Sequence, residues 1–159
     1  MELDKRAEEI ASQWHRHQTY GSDRPYIVHP RKVVRILSDY GFDSDVMRAA
    51  GWLHDVLEDC LPELTLPQRA SLLVRSLMPE EGDHDDVLNV FRTAHLVLAV
   101  TNRPGGNRKA RHALTYPCTR AAGVDAVALK LADRLANVKD ASSREPKLLK
   151  MYQKEHVVF

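Results

Sequence analysis

Asp43-Ser44-Asp45-Val46-Met47-Arg48-Ala49-Ala50-Gly51-Trp52-Leu53-His54-Asp55-Val56-Leu57-Glu58-Asp59 carries the pattern on which the fold turns. Val46, Ala49, Ala50, Leu53 and Leu57 recur at i, i+3, i+4, i+7 and i+11, the spacing of one apolar helix face. Asp43 or Ser44 can cap the free N–H groups at its start. The last turn then changes character, because His54, Asp55, Glu58 and Asp59 place four ionisable groups close together. On an unbroken helix His54 and Glu58 are i, i+4, as are Asp55 and Asp59, so all four share one broad face near the C-terminus. Carboxylates there oppose the helix dipole by about 0.3 kcal/mol or more each. A divalent cation would reverse that balance, whereas the bland alternative is a solvated helix end.

Helical periods continue on both sides. Leu3, Ala7, Ile10, Ala11 and Trp14 form a stripe that predicts a first helix over residues 4–18. Pro30 opens a second helix, with Val33, Val34 and Leu37 inside and Gly41 as its left-handed end. Thr65 followed by Gln68 reads as a capping box for a helix through Leu77. Val87, Val90, Phe91, Ala94 and Leu98 mark another. Asn102 to Asn107 is a loop by its turn residues. The helix expected over 108–122 contains Pro117, which should break or kink it. Val124, Val127, Leu131, Leu135 and Val138 define the apolar stripe of a long helix, and a final helix covers 145–156. No segment alternates convincingly as a strand. The expected fold is all-α, a single domain over residues 1–159.

The chain has 159 residues, enough for a real core, and 43% of them are hydrophobic. Lys plus Arg number 23 against 22 for Asp plus Glu, a net charge of +1, so no global basic field exists to hold nucleic acid. The charged start Glu2-Leu3-Asp4-Lys5-Arg6 leads into no long apolar run, and no stretch is apolar enough to span a membrane. Cys60 and Cys118 are too few for a disulfide framework. The expectation is a cytoplasmic protein with no membrane and no nucleic-acid partner, and one that could form a homo-oligomer.

Two further places strengthen the His54-Asp55 cluster. Pro25-Tyr26-Ile27-Val28-His29-Pro30 sets a histidine before a helix-opening proline, where its backbone is restrained. In Lys130-Leu131-Ala132-Asp133-Arg134-Leu135-Ala136-Asn137, a polar stripe of Lys130, Asp133, Asn137 and Asp140 runs beside the apolar one, as the lip of a pocket would. His29, His54, Asp55 and Asp133 together offer two imidazoles and two carboxylates. That mixture suits Mn, Fe or Zn better than Mg or Ca, and four protein ligands plus water favour five- or six-coordinate Mn or Fe over tetrahedral Zn.

With these segments in hand the sequence resembles the HD phosphohydrolase superfamily, and within it the hydrolase domains of RelA/SpoT proteins and the small alarmone hydrolases. The matching elements are Pro25–Pro30, Leu53–Asp59, Val100-Thr101 and Lys130–Asn137, in the family's order over roughly residues 15 to 140. The resemblance implies an HD-type helical bundle with one divalent metal on His29, His54, Asp55 and Asp133. It assigns Glu58 and Asp59 to positioning and deprotonating the attacking water, and Asn137 to a nucleotide substrate. The Glu58-Asp59 doublet is similar to enzymes that release pyrophosphate from guanosine tetra- and pentaphosphate.

The sequence departs from that family in its loop before Pro25. A usual basic pair falls on Tyr20 and Gly21, leaving Tyr20, Ser22 and Arg24 as expected substrate contacts. Asp140 stands where the family often has a threonine against the 5′-phosphate, and it would repel that group unless Lys139 or another cation offsets it. The departures favour a less phosphorylated or different nucleotide. The alternatives are an HD nucleotidase or pyrophosphohydrolase acting on another small phosphate compound, and a regulatory module with a vestigial site. His15 and His17 are expected to face solvent or to back the site. His84, His95, His112 and His156 read as structural, Arg103, Arg108, Lys109 and Arg111 as a solvated patch or a phosphate contact, and both cysteines as inert.

Overall fold

Ser44 caps the central helix of the protein, its hydroxyl accepting from the Met47 N–H at 3.2 Å in a computed structural model that describes residues 2–21, 23–82, 84–144 and 146–155. The elements are α1 (Leu3–Trp14), a two-stranded hairpin β1 (Thr19–Tyr20) and β2 (Arg24–Pro25), α2 (Val28–Asp39), α3 (Asp45–Leu53), α4 (Val56–Asp59), α5 (Leu66–Leu77), α6 (His84–Val100), α7 (Arg108–Ala121), α8 (Val124–Arg144) and α9 (Pro146–Glu155). The all-α expectation holds; the hairpin, antiparallel with Thr19 opposite Pro25, is the strand pair that the sequence reading missed.

Helix α3 is the hub and packs against α1, α2, α6 and α8. Met47, Ala49, Ala50, Gly51, Trp52 and Leu53 are all buried. Gly51 lets α2 come close, since a Cβ there would stand 2.9 Å from Val34 Cγ2. That approach carries the start of α2 toward the end of α3. Asp4 of α1 locks the other side, accepting from Trp52 Nε1 at 2.9 Å and Arg48 Nε at 3.1 Å. Leu53 is fully buried beside the turn that follows. Leu53→Ala is expected to lower unfolding free energy by about 2–5 kcal/mol in a denaturant titration, because the cavity adds to the lost transfer energy.

Several expectations need correction. The helix from Asp43 does not run unbroken to Asp59: a turn at His54-Asp55 separates α3 from α4. Helix α1 stops at Trp14, short of residue 18, and α2 starts at Val28, so Pro30 lies inside its first turn, where a missing N–H is harmless. Pro117 sits within a continuous α7; both it and Ala113 four residues back are exposed, so water can serve the carbonyl that loses its partner. The capping box of Thr65 and Gln68 is present, and Gly41 takes φ +84° after α2.

The largest revision concerns α8. Its buried face is Ala126, Leu129, Ala132, Ala136 and Ala141, while Val124 and Leu131 of the supposed core stripe are 72% and 46% exposed. Small alanines let α8 lie close to α2 and α6, and the larger apolar residues border a surface groove with Ile36, Tyr40 and Phe42. No described helix is long and apolar enough to cross a membrane.

Candidate metal centre

Three elements deliver four side chains to one point. His29 leaves the first turn of α2, its N–H bonded to Tyr26 O at 2.9 Å. His54 and Asp55 occupy the turn after α3, and Asp133 projects from the middle of α8. Nε2 of His29 and Nε2 of His54 are 3.2 Å apart. Asp55 Oδ2 lies 3.0 Å from His54 Nε2 and 3.5 Å from His29 Nε2, and Asp133 Oδ1 lies 3.7 and 3.3 Å from the same atoms. Neighbours on a regular helix point roughly 100° apart. The turn at His54-Asp55 is what lets two adjacent side chains converge.

The chemistry of this donor set fits a cation. His54 Nδ1 is 2.9 Å from Gly51 O, a pure acceptor, which assigns the hydrogen to Nδ1 and turns the Nε2 lone pair inward. Both imidazoles are buried, and His29 Nδ1 has no partner among the described residues. The donor atoms of His29, His54 and Asp133 lie within 4.8 Å of one another. Asp55 flanks that group through its contacts with both imidazoles. Lone pairs and carboxylates facing each other need positive charge between them, either a proton or a metal ion.

Without metal, His54 takes the proton. Burial works against its charge, yet Asp55 and Asp133 hold its pKa well above 6.5. Burial likewise opposes ionised Asp55 and Asp133, but His54 in the first case and Lys130 in the second keep them below the usual carboxylate range. A raised folded pKa stabilises the protein below the unfolded value, about 6.5 for histidine, and that contribution disappears as pH rises through the folded pKa. The metal-free protein should therefore lose stability above neutrality. A metal must displace the His54 proton, so Mn²⁺ binding at pH 7 is expected to release protons. Calorimetry in buffers of different ionisation heat measures this, and a buffer-independent binding enthalpy would contradict it.

Glu58 and Asp59 of α4 border the cluster. Asn102 Nδ2 lies 2.9 Å from both Glu58 carboxylate oxygens, and the Asn102 N–H adds a bond at 3.3 Å. Tyr26 Oη is 2.9 Å from Asp59 Oδ2 and 2.7 Å from Asp55 Oδ2. Partial burial and then the Asp55 charge raise Asp59 to about 6, close enough to neutrality for proton exchange. Lys130 Nζ reaches Asp133 Oδ2 at 3.4 Å and donates to Val100 O at 3.2 Å, which gives the Val100-Thr101 element a structural purpose. Lys130 belongs to the polar stripe expected to form a pocket lip, and it lines the cavity; Tyr26 and Asn102 carry no site role in the sequence analysis. The quoted segments contained Tyr26 and Lys130, but Asn102 had only its place after Val100-Thr101 to mark it.

The other expected contacts are placed less simply. Tyr20 stacks on His29 with ring centroids 4.9 Å apart, and its hydroxyl donates to Asn137 Oδ1 at 3.1 Å. Asn137 Nδ2 donates to Asp133 Oδ1 at 2.7 Å, so both ends of that amide are engaged within the protein. Arg24 lies over the Tyr20 ring at 5.1 Å and 3.9 Å from Asp140, which also pairs with Lys32. Lys32 and Arg24, not Lys139, meet the Asp140 charge. Ser22 and His156 lie outside the described residues. His15 is buried, stacked on Tyr26 at 4.4 Å, and so backs the site. His112 and Arg108 line the cavity over the cluster. Burial and then Asp59 push the Cys60 thiol up to about 12, which fits an inert cysteine. The cavity measures about 160 Å³, room for an ion and several waters.

Fold and site together define an all-helical protein with a His29-His54-Asp133 cluster that could hold a metal ion, flanked by Asp55. The chain belongs to the HD domain family, whose model matches residues 7–159. It is 32% identical over 138 residues to a probable guanosine-3′,5′-bis(diphosphate) 3′-pyrophosphohydrolase of Synechocystis sp., a match covering 83% of this chain and 16% of that protein. A guanosine-3′,5′-bis(diphosphate) 3′-pyrophosphohydrolase of Aquifex aeolicus is 31% identical over 140 residues, covering 85% and 17%. A GTP pyrophosphokinase of Streptomyces coelicolor is 46% identical over 55 residues, 35% of this chain and 6% of that one. The chain thus spans only a small part of the length of these relatives.

Proposed function

We propose that residues 1–159 act as one HD domain that removes pyrophosphate from guanosine tetra- or pentaphosphate with a divalent metal, Mn²⁺ in first place and Fe²⁺ or Zn²⁺ as alternatives. The observation that carries this reading is the convergence of His29, His54, Asp55 and Asp133 beside the carboxylates of Glu58 and Asp59. When bound, the ion lowers the pKa of water and offsets phosphoryl charge. Glu58, fixed by Asn102, and Asp59, beside Tyr26, would orient a water and accept its proton as it attacks phosphorus and the phosphorus bond to the ribose 3′ oxygen breaks, releasing pyrophosphate. Names of two relatives that align over most of this chain support the substrate class.

A second reading has its own support. Arg24 and Lys32 are both engaged with Asp140, so the hairpin side of the site offers little unspent positive charge to a polyphosphate. That favours a nucleotidase or pyrophosphohydrolase acting on another small phosphate compound. Incubating the Mn²⁺-loaded protein with guanosine tetraphosphate and a panel of ordinary nucleotides, with products identified by mass, separates the two. Pyrophosphate released preferentially from the tetraphosphate supports the first; turnover confined to other compounds replaces it with the second. Metal binding without any turnover leaves a regulatory module. We place the protein in the cytoplasm on this reading.

A further inference from the structure

Asp59 and the candidate metal ligand Asp55 share one hydroxyl, Tyr26 Oη, at 2.9 and 2.7 Å. The Asp55 oxygen involved, Oδ2, is the same atom that faces both imidazoles. The hydroxyl carries one hydrogen for the two carboxylate oxygens, so its place bears on the rotamer of a proposed metal ligand and on a neighbouring carboxylate together. The tyrosine is itself clamped. His15 stacks on its ring at 20° to parallel, and the ring meets His29 edge-on at 6.0 Å. Gln18 completes the frame: its carbonyl accepts from the Tyr26 N–H at 3.1 Å, its side-chain oxygen pairs with His15 Nδ1 at 2.7 Å, and its amide donates to Asp59 O at 2.8 Å. The short segment after α1 thus holds both the tyrosine and the backbone of Asp59.

We propose that Tyr26 is a positioning residue that couples Asp59 to the metal-binding carboxylate of Asp55. The inference rests on the metal-site reading above but not on the identity of the substrate. Its consequence is that metal affinity senses Asp59 through Tyr26. Tyr26→Phe keeps the ring and its stack on His15 and deletes a single oxygen.

The test is a double-mutant cycle read as Mn²⁺ affinity, by titration of the purified full chain with Tyr26→Phe, Asp59→Asn and the double variant. Tyr26→Phe is expected to weaken Mn²⁺ binding by roughly 10-fold, the low end for loss of a partner of a metal ligand. The effect of Asp59→Asn should change by at least roughly threefold between the Tyr26 and Phe backgrounds. Direct attraction between Asp59 and the ion is common to both backgrounds and cancels. Effects that multiply without coupling, or a Tyr26→Phe affinity within twofold of wild type, overturn the proposal, as does a wild-type protein that binds no Mn²⁺. A wild-type protein that binds Mn²⁺ but turns over no nucleotide removes the proposed activity and leaves this cycle fully decisive. Where turnover is present, Tyr26→Phe at saturating Mn²⁺ should lower kcat with KM unchanged; kcat equal to wild type would overturn the link to Asp59.

Discussion

Asp133→Ala is expected to remove bound divalent metal and phosphohydrolase activity together. Asp133 Oδ1 lies within reach of both imidazoles, and its Oδ2 faces Lys130 Nζ at 3.4 Å. Losing it takes away one of two carboxylates that offset the charge of an ion. Without a held ion the site would no longer lower the pKa of water or offset phosphoryl charge, and the rate should fall by several orders of magnitude. The same substitution removes the charge that holds buried Lys130 first among its neighbours, leaving it the Val100 carbonyl at 3.2 Å and the charges of Asp55 and Glu58. Breaking a buried pair on one side costs about 3–5 kcal/mol, so lost activity alone could report misfolding. Asp55→Ala disturbs Lys130 less, because Asp55 makes no ion pair with it among the described residues and acts on it only after Asp133; its own cost falls on His54, 3.0 Å away, and thermal unfolding reads that cost. Metal analysis, thermal unfolding and turnover are measured on both variants. Asp55→Ala should fold, bind far less Mn²⁺ and be inactive; full metal content and wild-type rate in either variant would dismiss the assigned ligand set.

The clustering of the proposed ligands was legible because these are residue types that are costly to bury without a partner. His54 and Asp55 stood out at the end of an apolar helix face, and His29 and Asp133 lay in segments with their own restraints. The path of the chain between them was less legible. Helical spacing alone put His54, Asp55, Glu58 and Asp59 on one continuous helix, whereas the site depends on the turn that interrupts it. Nothing in residue type announces that turn, since both residues keep right-handed backbone angles. On α8 a reading by size chose Val124 and Leu131 over the alanines, and close packing reversed it. Asp140 illustrates a third limit. Its charge could be seen in the sequence, but Lys32, 108 residues away along the chain, could be paired with it only in three dimensions. Tyr20 is similar, for a ring expected to contact substrate is stacked on His29.

Glu58→Gln should leave the metal in place and abolish turnover. Glu58 makes no contact with the imidazole nitrogens among the described residues; its carboxylate instead receives Asn102 Nδ2 at 2.9 Å on both oxygens. A glutamine fills nearly the same volume, so the cluster of His29, His54, Asp55 and Asp133 is undisturbed. It cannot accept a proton at neutral pH, and its amide nitrogen would face the Asn102 donor group that the carboxylate satisfied. General-base catalysis contributes typically about 10²–10⁴-fold, and the kcat loss should fall in that range. Glu58→Gln is compared with wild type for Mn²⁺ stoichiometry and for kcat at saturating metal and substrate. The neighbouring Asp59→Asn supplies the internal comparison: if Glu58→Gln keeps wild-type turnover while Asp59→Asn loses it, the water is served by Asp59 alone. Equal wild-type rates in both variants would remove the pair from the chemistry. Loss of metal in Glu58→Gln would make Glu58 a ligand and not a proton acceptor.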